Sequence, residues 1–127
     1  MSDELLERFP LEDRDFLTQK GVELIEGPGL VYAVLNNEEL GSAYAPNSAR
    51  VMFQVPFGYP DAAMDMFWTF PPVKLLSSGS DPQQCSHFEE HMGATWQRWS
   101  RHINWRAGID NLRTVYRAFR TEVGLGR

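Results

Sequence analysis

Residues 51–70, VMFQVPFGYPDAAMDMFWTF, decide the fold because they contain two strands joined by a turn. Apolar residues recur at every second position on either side of the turn, as they do in half-buried strands: Val51, Phe53 and Val55, then Met64, Met66, Trp68 and Phe70. Pro71-Pro72 ends the second run because proline cannot donate a hydrogen bond to a β-ladder. This stretch therefore predicts the third and fourth strands of an antiparallel sheet.

Two further strands and a helix are predicted before this pair. Residues 22–37, VELIEGPGLVYAVLNN, are two β-rich runs separated by a Gly-Pro-Gly turn signal, which indicates a hairpin. In residues 11–20 three apolar side chains fall near helical spacing: Leu11, Phe16 and Leu17. Gly21 suits the left-handed cap that ends a helix. The sequence therefore predicts a short first helix followed by a four-stranded meander.

A long loop and a last helix complete the predicted order. Residues 71–95 are rich in Pro, Ser, Gly, Asp and Gln without a sustained period, so they are predicted to form a long irregular loop, and loops of this length are usually functional or disordered. Residues 109–124 carry one helical stripe: Ile109, Leu112, Val115, Tyr116, Phe119 and Val123. Asp110 is the predicted N-cap and Gly124 the predicted C-cap. We expect an α+β fold in which the C-terminal helix packs on one face of the meander, with residues 1–127 as one domain.

Composition limits the class of protein. A chain of 127 residues with 43% apolar residues can bury one core. Its single cysteine excludes an intramolecular disulfide, and no signal peptide or membrane span is recognisable, so a cytoplasmic protein is expected. The net charge of −5 is unevenly distributed, since residues 1–40 carry ten acids and three bases while residues 98–127 carry seven arginines and two acids.

Two segments resemble the ubiquitin-conjugating-enzyme superfamily. Residues 53–68, FQVPFGYPDAAMDMFW, are similar to its third strand, Tyr-Pro turn and fourth strand. Residues 87–119, HFEEHMGATWQRWSRHINWRAGIDNLRTVYRAF, resemble its active-site loop, the tryptophan that follows and the next helix. The runs WQRWSRH and WRAGID are similar to one prokaryotic branch, family E, and the resemblance spans residues 11–123.

The resemblance implies a ubiquitin-conjugating (UBC-like) fold and an acyl-transferring enzyme. Such an enzyme accepts the C-terminus of a ubiquitin-like protein from an adenylating activating enzyme, as an ester or thioester, and passes it to an amine. A metalloprotease that removes the modifier is a further implied partner. No cofactor, metal, nucleic acid or membrane is expected. The activating enzyme is expected to bind the first helix and the adjoining sheet. Because Glu12, Asp13 and Asp15 make this surface acidic, the partner is expected to present a basic groove.

The resemblance places a glutamine where the superfamily has its catalytic cysteine. Counting ten residues on from His87, which resembles the histidine of the family's His-Pro-Asn element, reaches Gln97. Counting eight back from Trp105 reaches the same residue. Phe88 and Glu89 stand in place of the proline and asparagine, so the usual oxyanion donor is missing. The amide of Gln97 is a candidate donor or a structural group.

Two residues are candidates for the nucleophile, and the sequence does not decide between them. Ser100 lies three residues past Gln97 and close in sequence to His102, a candidate base, and it would form an oxyester. Cys85 lies two residues before His87, which would favour its thiolate, and it would form a thioester. The third alternative is an inactive variant that binds the modifier or the activating enzyme without forming an ester.

Two rival kinds of site have weaker support. A metal site would use Cys85, His87 and His91, for which no fourth ligand is evident. A nucleic-acid site would use WQRWSRHINWR, where arginines alternate with aromatic residues that can stack on bases. The same run suits buried tryptophans with exposed arginines, and we expect three tryptophans to belong mainly to the core: Trp96, Trp99 and Trp105.

Overall fold

The computed structural model describes residues 3–127, which form a curled antiparallel sheet with helices on one face. The helices are α1 (Asp3–Glu7), α2 (Leu11–Lys20) and α3 (Leu112–Gly124). The strands are β1 (Glu23–Gly27), β2 (Leu30–Glu39), β3 (Tyr44–Ala45), β4 (Ser48–Pro56), β5 (Phe67–Phe70), β6 (Lys74–Leu75), β7 (His87–His91) and β8 (Ala94–Trp99). The main sheet has the order β1-β2-β4-β5-β8-β7, and β3 pairs with β6.

The predicted meander is confirmed. Strands β1, β2, β4 and β5 are sheet neighbours, and each neighbouring pair is antiparallel. The turn between β1 and β2 lies at the predicted Gly-Pro-Gly, where Gly29 has a φ of 75°. A side chain strains such a left-handed backbone, and glycine has none.

The predicted long loop is wrong in its second half. Residues 87–99 form a hairpin, β7 and β8, that pairs with β5 and widens the predicted four-stranded sheet to six strands within residues 3–127. The hairpin turns at Met92-Gly93, where both residues have positive φ, 53° and 76°. Primed turns usually place Asn or Asp at the first of these positions, so methionine conceals the turn in the sequence.

Helix α3 covers the core face of the sheet as predicted. Val51, Phe53 and Val55 are all buried, and the Phe53 ring lies 6.2 Å from that of Phe119. The helix begins later than predicted, because Asn111 is the N-cap and forms a reciprocal capping box with Thr114.

Four predicted details at the helices are wrong. Ile109 lies before α3 with 64% of its surface exposed, and Asp110 accepts hydrogen bonds from Arg106 instead of capping the helix. Gly124 is the last helical residue, with Leu125 as the C-cap. Leu11, expected on the apolar side of α2, is 74% exposed. The left-handed cap at Gly21 is confirmed, with a φ of 63°.

The opposite face of the sheet has its own small core. Its buried residues are Tyr32, Val34, Met52, Trp68 and Trp96. The sheet curls so far that His91, on the edge strand β7, reaches across to β2 and β4. Its Nδ1 lies 3.2 Å from the hydroxyl of Tyr32, and its Nε2 lies 3.3 Å from the amide of Gln54. We call this enclosed face the roll.

Candidate active site

Three candidate residues lie on β8 or in the extended segment that follows it: Gln97, Ser100 and His102. Because side chains alternate along a strand, Gln97 and Trp99 point into the core beneath α3. Trp96 is buried on the roll side, where Arg98 also forms its ion pair with Glu89. The two strand tryptophans are fully buried, as predicted, and the indole of Trp105 donates to the carbonyl of Pro60. The rings of Trp96 and Trp99 are therefore unavailable for stacking on nucleic-acid bases, whereas Trp105 is partly buried.

Gln97, which the resemblance aligns with the superfamily's catalytic cysteine, is a core residue with all its hydrogen-bonding groups occupied. Its Oε1 accepts from the backbone N–H of Val73 at 2.8 Å and from the hydroxyl of Thr69 at 3.2 Å. Its Nε2 donates to the carbonyls of Val73 and Cys85 at 3.1 and 3.2 Å. The side chain is 0% exposed. Both donors of the amide are occupied, which favours its structural role over that of an oxyanion donor.

The thiol of Cys85 is buried. The residue is 0% exposed, and its Sγ donates to the carbonyl of Gln83 at 3.2 Å. Burial raises the pKa of this thiol to about 12, although the charge of Arg101 opposes the effect. A cysteine attacks as the thiolate, so this placement argues against a thioester on Cys85.

Ser100 lies immediately after β8 and is partly exposed. Its backbone N–H donates to the carbonyl of Gln84 at 3.0 Å, which continues the pairing of β8 beyond its end. Its Oγ accepts from Nε of Arg98 at 3.2 Å, and Arg98 in turn donates to Glu89 at 3.0 Å. A guanidinium beside a hydroxyl stabilises negative charge that develops on its oxygen.

Glu89 connects Ser100 to the roll. Besides Arg98, its carboxylate contacts the indole N–H of Trp68 at 2.9 Å and the nitrogen Nε2 of His91 at 2.8 Å. Burial disfavours its charge, but the bonds from His91 and Trp68 outweigh burial and hold the pKa of Glu89 below its ordinary value. His87 is exposed and lies 3.3 Å from Glu89, so its ion pair is with this carboxylate.

His102 forms a pair with an acid that the sequence did not reveal. Its Nδ1 lies 2.8 Å from Oδ2 of Asp65. The other oxygen of Asp65 accepts from the backbone N–H groups of Ile103 at 2.9 Å and Met66 at 3.1 Å, which fixes the carboxylate. Met66 has a φ of 64°, and a non-glycine residue rarely adopts this backbone outside functional or tightly constrained sites.

The His102–Asp65 pair has the arrangement of an oriented base. With Nδ1 bound to the carboxylate, Nε2 is the ring nitrogen left to accept a proton, and 76% of the side chain is exposed. No hydrogen bond joins Ser100 to His102 within residues 3–127. In the sequence, Asp65 is an acid between two methionines just before β5, and this was the feature that could have marked it as a candidate.

A cavity of about 240 Å³ adjoins His102 between β5 and α3. It is lined by Met66, Phe67, Arg101, His102, Ile103, Ala118, Thr121 and Glu122. Arg101 forms its wall, with Nε 2.9 Å from Glu122 and Nη1 2.6 Å from the carbonyl of Gln83. One side chain therefore ties the segment after β8 to α3 and to the loop that holds Cys85.

The three residues considered as metal ligands are divided between two faces of the sheet. Cys85 belongs to the core beneath α3, whereas His87 and His91 bind Glu89 on the roll side. In the part of the chain from residue 3 onward, no three His, Cys, Asp or Glu side chains are grouped as metal ligands. In the same part no helix is both long and apolar enough to span a bilayer.

Comparison with known proteins identifies the family. The profile of Prokaryotic E2 family E matches residues 9–124, nearly the whole chain, so the chain belongs to this family. No curated protein and no solved structure matches it. The resemblance to family E is confirmed. Membership suggests ubiquitin-like conjugation, with a ubiquitin-like protein and an activating enzyme as partners in general.

Proposed function

We propose that this protein accepts the C-terminal acyl group of a ubiquitin-like protein from an adenylating activating enzyme and transfers it to an amine. A metalloprotease that removes the modifier is the third proposed partner. Family membership supports the reaction class. The observation that carries the proposal is the 2.8 Å contact between His102 and Asp65. His102 lies two residues after Ser100, whose hydroxyl accepts a hydrogen bond from Arg98.

Ser100 is the proposed acceptor. Its Oγ attacks the carbonyl carbon of the modifier's C-terminal glycine, the activating enzyme leaves as its thiol, and an oxyester forms. The hydroxyl proton passes to Nε2 of His102, while Asp65 stabilises the imidazolium. Arg98 stabilises the negative charge on Oγ. Catalytic hydrogen bonds often tighten only when substrate is bound, so the free protein need not join Ser100 to His102.

We assign structural roles to Gln97 and His87 and keep Cys85 as the alternative acceptor. We propose that Gln97 holds the Cys85 loop against β8, and that His87 acts only through its ion pair with Glu89. Cys85 stays the alternative acceptor, which would first require its loop to open. The cavity beside His102 is of a size to take the last residues of an extended modifier tail.

The test is the chemical stability of a covalent adduct. Incubation with the modifier, activating enzyme and ATP should add the mass of the modifier less one water. The adduct should survive excess thiol and yield to hydroxide, because an oxyester resists thiol exchange. S100A should abolish it and C85A should retain it. H102A should slow its formation by about a hundredfold or more.

S86A is the matched control, since Ser86 is a nearby exposed serine that bonds to Asp81. It should form the adduct at the rate of the wild type. An adduct that is thiol-sensitive and lost in C85A would transfer the acceptor role to Cys85. An adduct that persists in both S100A and C85A would refute both assignments.

A second candidate function is a binding module that engages the modifier or the activating enzyme without forming an ester. The buried, fully hydrogen-bonded Gln97, which the resemblance aligns with the superfamily's catalytic cysteine, favours this alternative. It replaces the catalytic proposal if the wild type gains no mass while the activating enzyme itself becomes charged.

A further inference from the structure

A cationic groove lies between α2 and α3, away from Ser100 and His102. It has a volume of about 270 Å³ and is lined by Phe16, Gln19, Lys20, Arg113, Tyr116 and Arg117. Lys20 comes from the last turn of α2, and the two arginines are one turn apart on α3. Residues i and i+4 share a helix face, so three positive charges surround one depression.

The three cations of the groove lack carboxylate partners. Within residues 3–127 the salt bridges use other cations: Arg8, Lys74, His87, His91, Arg98, Arg101, His102 and Arg106. The buried Asp13 senses the charge of Arg113 but makes no salt bridge with it. The groove is therefore locally positive on a chain whose net charge is −5.

Aromatic rings hold two of these cations in place. The ammonium of Lys20 lies 4.4 Å from the ring centroid of Tyr116 and 3.2 Å from its hydroxyl. The guanidinium of Arg113 lies 5.5 Å from the centroid of the Phe16 ring, and the two rings contact each other at 5.6 Å. Such contacts order long side chains before a partner arrives, which lowers the entropy cost of binding.

The form of the groove favours carboxylates of a protein over nucleic acid. The rings of Phe16 and Tyr116 already have cations over them, so they do not offer an open platform on which a base can stack. The next arginine along α3, Arg120, donates to the carbonyl of Glu39 and does not extend the groove into a track for a phosphate backbone. The net negative charge also opposes non-specific binding to nucleic acid.

We infer that the α2–α3 groove docks an acidic segment of a protein partner, whose carboxylates contact Lys20, Arg113 and Arg117. Glu12 lies in the first turn of α2 and the exposed Asp15 in its middle, whereas Lys20 lies in the last turn, so the helix has a negative first half and a positive end. This polarity orients the incoming segment. The inference concerns partner recognition and does not depend on the acyl-transfer chemistry of Ser100.

The test uses a fluorescein-labelled peptide of glutamate and serine that carries six carboxylates. Fluorescence anisotropy at low salt should detect binding, and nuclear magnetic resonance shifts should map it to Gln19, Lys20, Arg113 and Arg117. Charge reversal in K20E/R113E/R117E should weaken binding by at least about tenfold, which equals about 1.4 kcal/mol. The milder variant R113Q/R117Q removes two of the charges without reversing them and should also weaken binding. Thermal unfolding verifies that both variants are folded.

The matched control is E12K/D15K, which changes charges on the same helix outside the groove and should not weaken binding. Failure of the peptide to bind, or equal binding by K20E/R113E/R117E, would overturn the inference. A labelled single-stranded DNA with six phosphates is the competing probe. If it binds through the groove more tightly than the peptide, nucleic acid replaces the acidic protein segment as the occupant.

Discussion

Asp13 is a buried acid that connects three parts of the fold. It is 1% exposed, and its Oδ2 accepts from the hydroxyl of Tyr59 at 2.6 Å. That hydroxyl accepts from the backbone N–H of Leu112 at 2.9 Å, so α2, the Tyr-Pro turn and the first turn of α3 meet here. Asp13 is therefore not part of an acidic docking surface, and only Glu12 and Asp15 of the expected three remain available.

Burial should make stability depend on pH through Asp13. Burial raises the pKa of this carboxyl above its ordinary 3.8, so the folded state holds the proton more tightly than the unfolded state. The contribution of Asp13 to stability should therefore be greatest below this value and fall as pH rises through the folded pKa, by about 1.4 kcal/mol for each unit by which the pKa is raised. D13N cannot ionise and should escape this loss.

The measurement is the melting temperature of both proteins from about pH 4 to about pH 7. The difference should move in favour of D13N as pH rises. D15N, which changes an exposed acid on the same helix, should follow the wild-type profile. A difference between D13N and wild type that stays constant with pH would mean that Asp13 keeps its ordinary pKa in the fold.

Single residues were the least predictable level of the site. The sequence offered Ser100, His102 and Gln97 as candidates but could not reveal that Asp65 contacts His102, because 37 residues separate them. It also placed Asp13 on the surface, since burial of an acid depends on a tyrosine brought close by the fold. Such pairings arise from tertiary structure, which local patterns do not encode.

At the level of elements, the periodicity of apolar residues predicted the strands and the helix that have a clear apolar face. Strands β1, β2, β4 and β5 and helix α3 have such faces, and each is present. Strand β7 reads HFEEH and lies at the sheet edge with most of its side chains partly or fully exposed, so it has no apolar face to detect. Its partner β8 was concealed by Gln97, a polar residue buried through four hydrogen bonds.

Helix α3 allows a direct test of its packing. F119A removes a fully buried ring that contacts Phe53 and Phe67, and it should lower the free energy of unfolding by about 3–5 kcal/mol. Urea denaturation measures the change. The matched control is I109A, which truncates an apolar residue that the sequence assigned to the same stripe but that is 64% exposed. Its effect should stay within about 0.5 kcal/mol, and similar losses in both variants would contradict this packing.

The whole molecule is a sheet enclosing two cores, one beneath α3 and one inside the roll. No apolar pattern in the sequence distinguishes these cores, since both use alternating residues of the same strands. Polar contacts join the edge strand to the far side of the curl, where His91 bonds to Glu89 and lies within 3.3 Å of Tyr32 and Gln54. The roll is therefore closed by one partly buried histidine.

Removal of that histidine should loosen the roll. H91A leaves the Tyr32 hydroxyl without its partner and removes one of the hydrogen bonds to the Glu89 carboxylate, so the free energy of unfolding should fall by about 1–3 kcal/mol. Hydrogen exchange should accelerate in β7 and β8 more than in β2. H87A removes an exposed histidine of the same strand and should change stability by less than about 0.5 kcal/mol. Equal exchange in the two variants would exclude His91 as the closing residue.

The closure of the roll also has to wait for a late part of the chain during synthesis. Tyr32 and His91 are 59 residues apart, so a ribosome adding about 5–20 residues per second needs roughly 3–12 s between them. Throughout that interval the apolar side chains of β2 and β4 on this face have no β7 to close over them. Nascent chains with exposed strand edges are prone to misassembly, and the roll stays open to this risk until β7 has been made, while the contacts of α3 form later still.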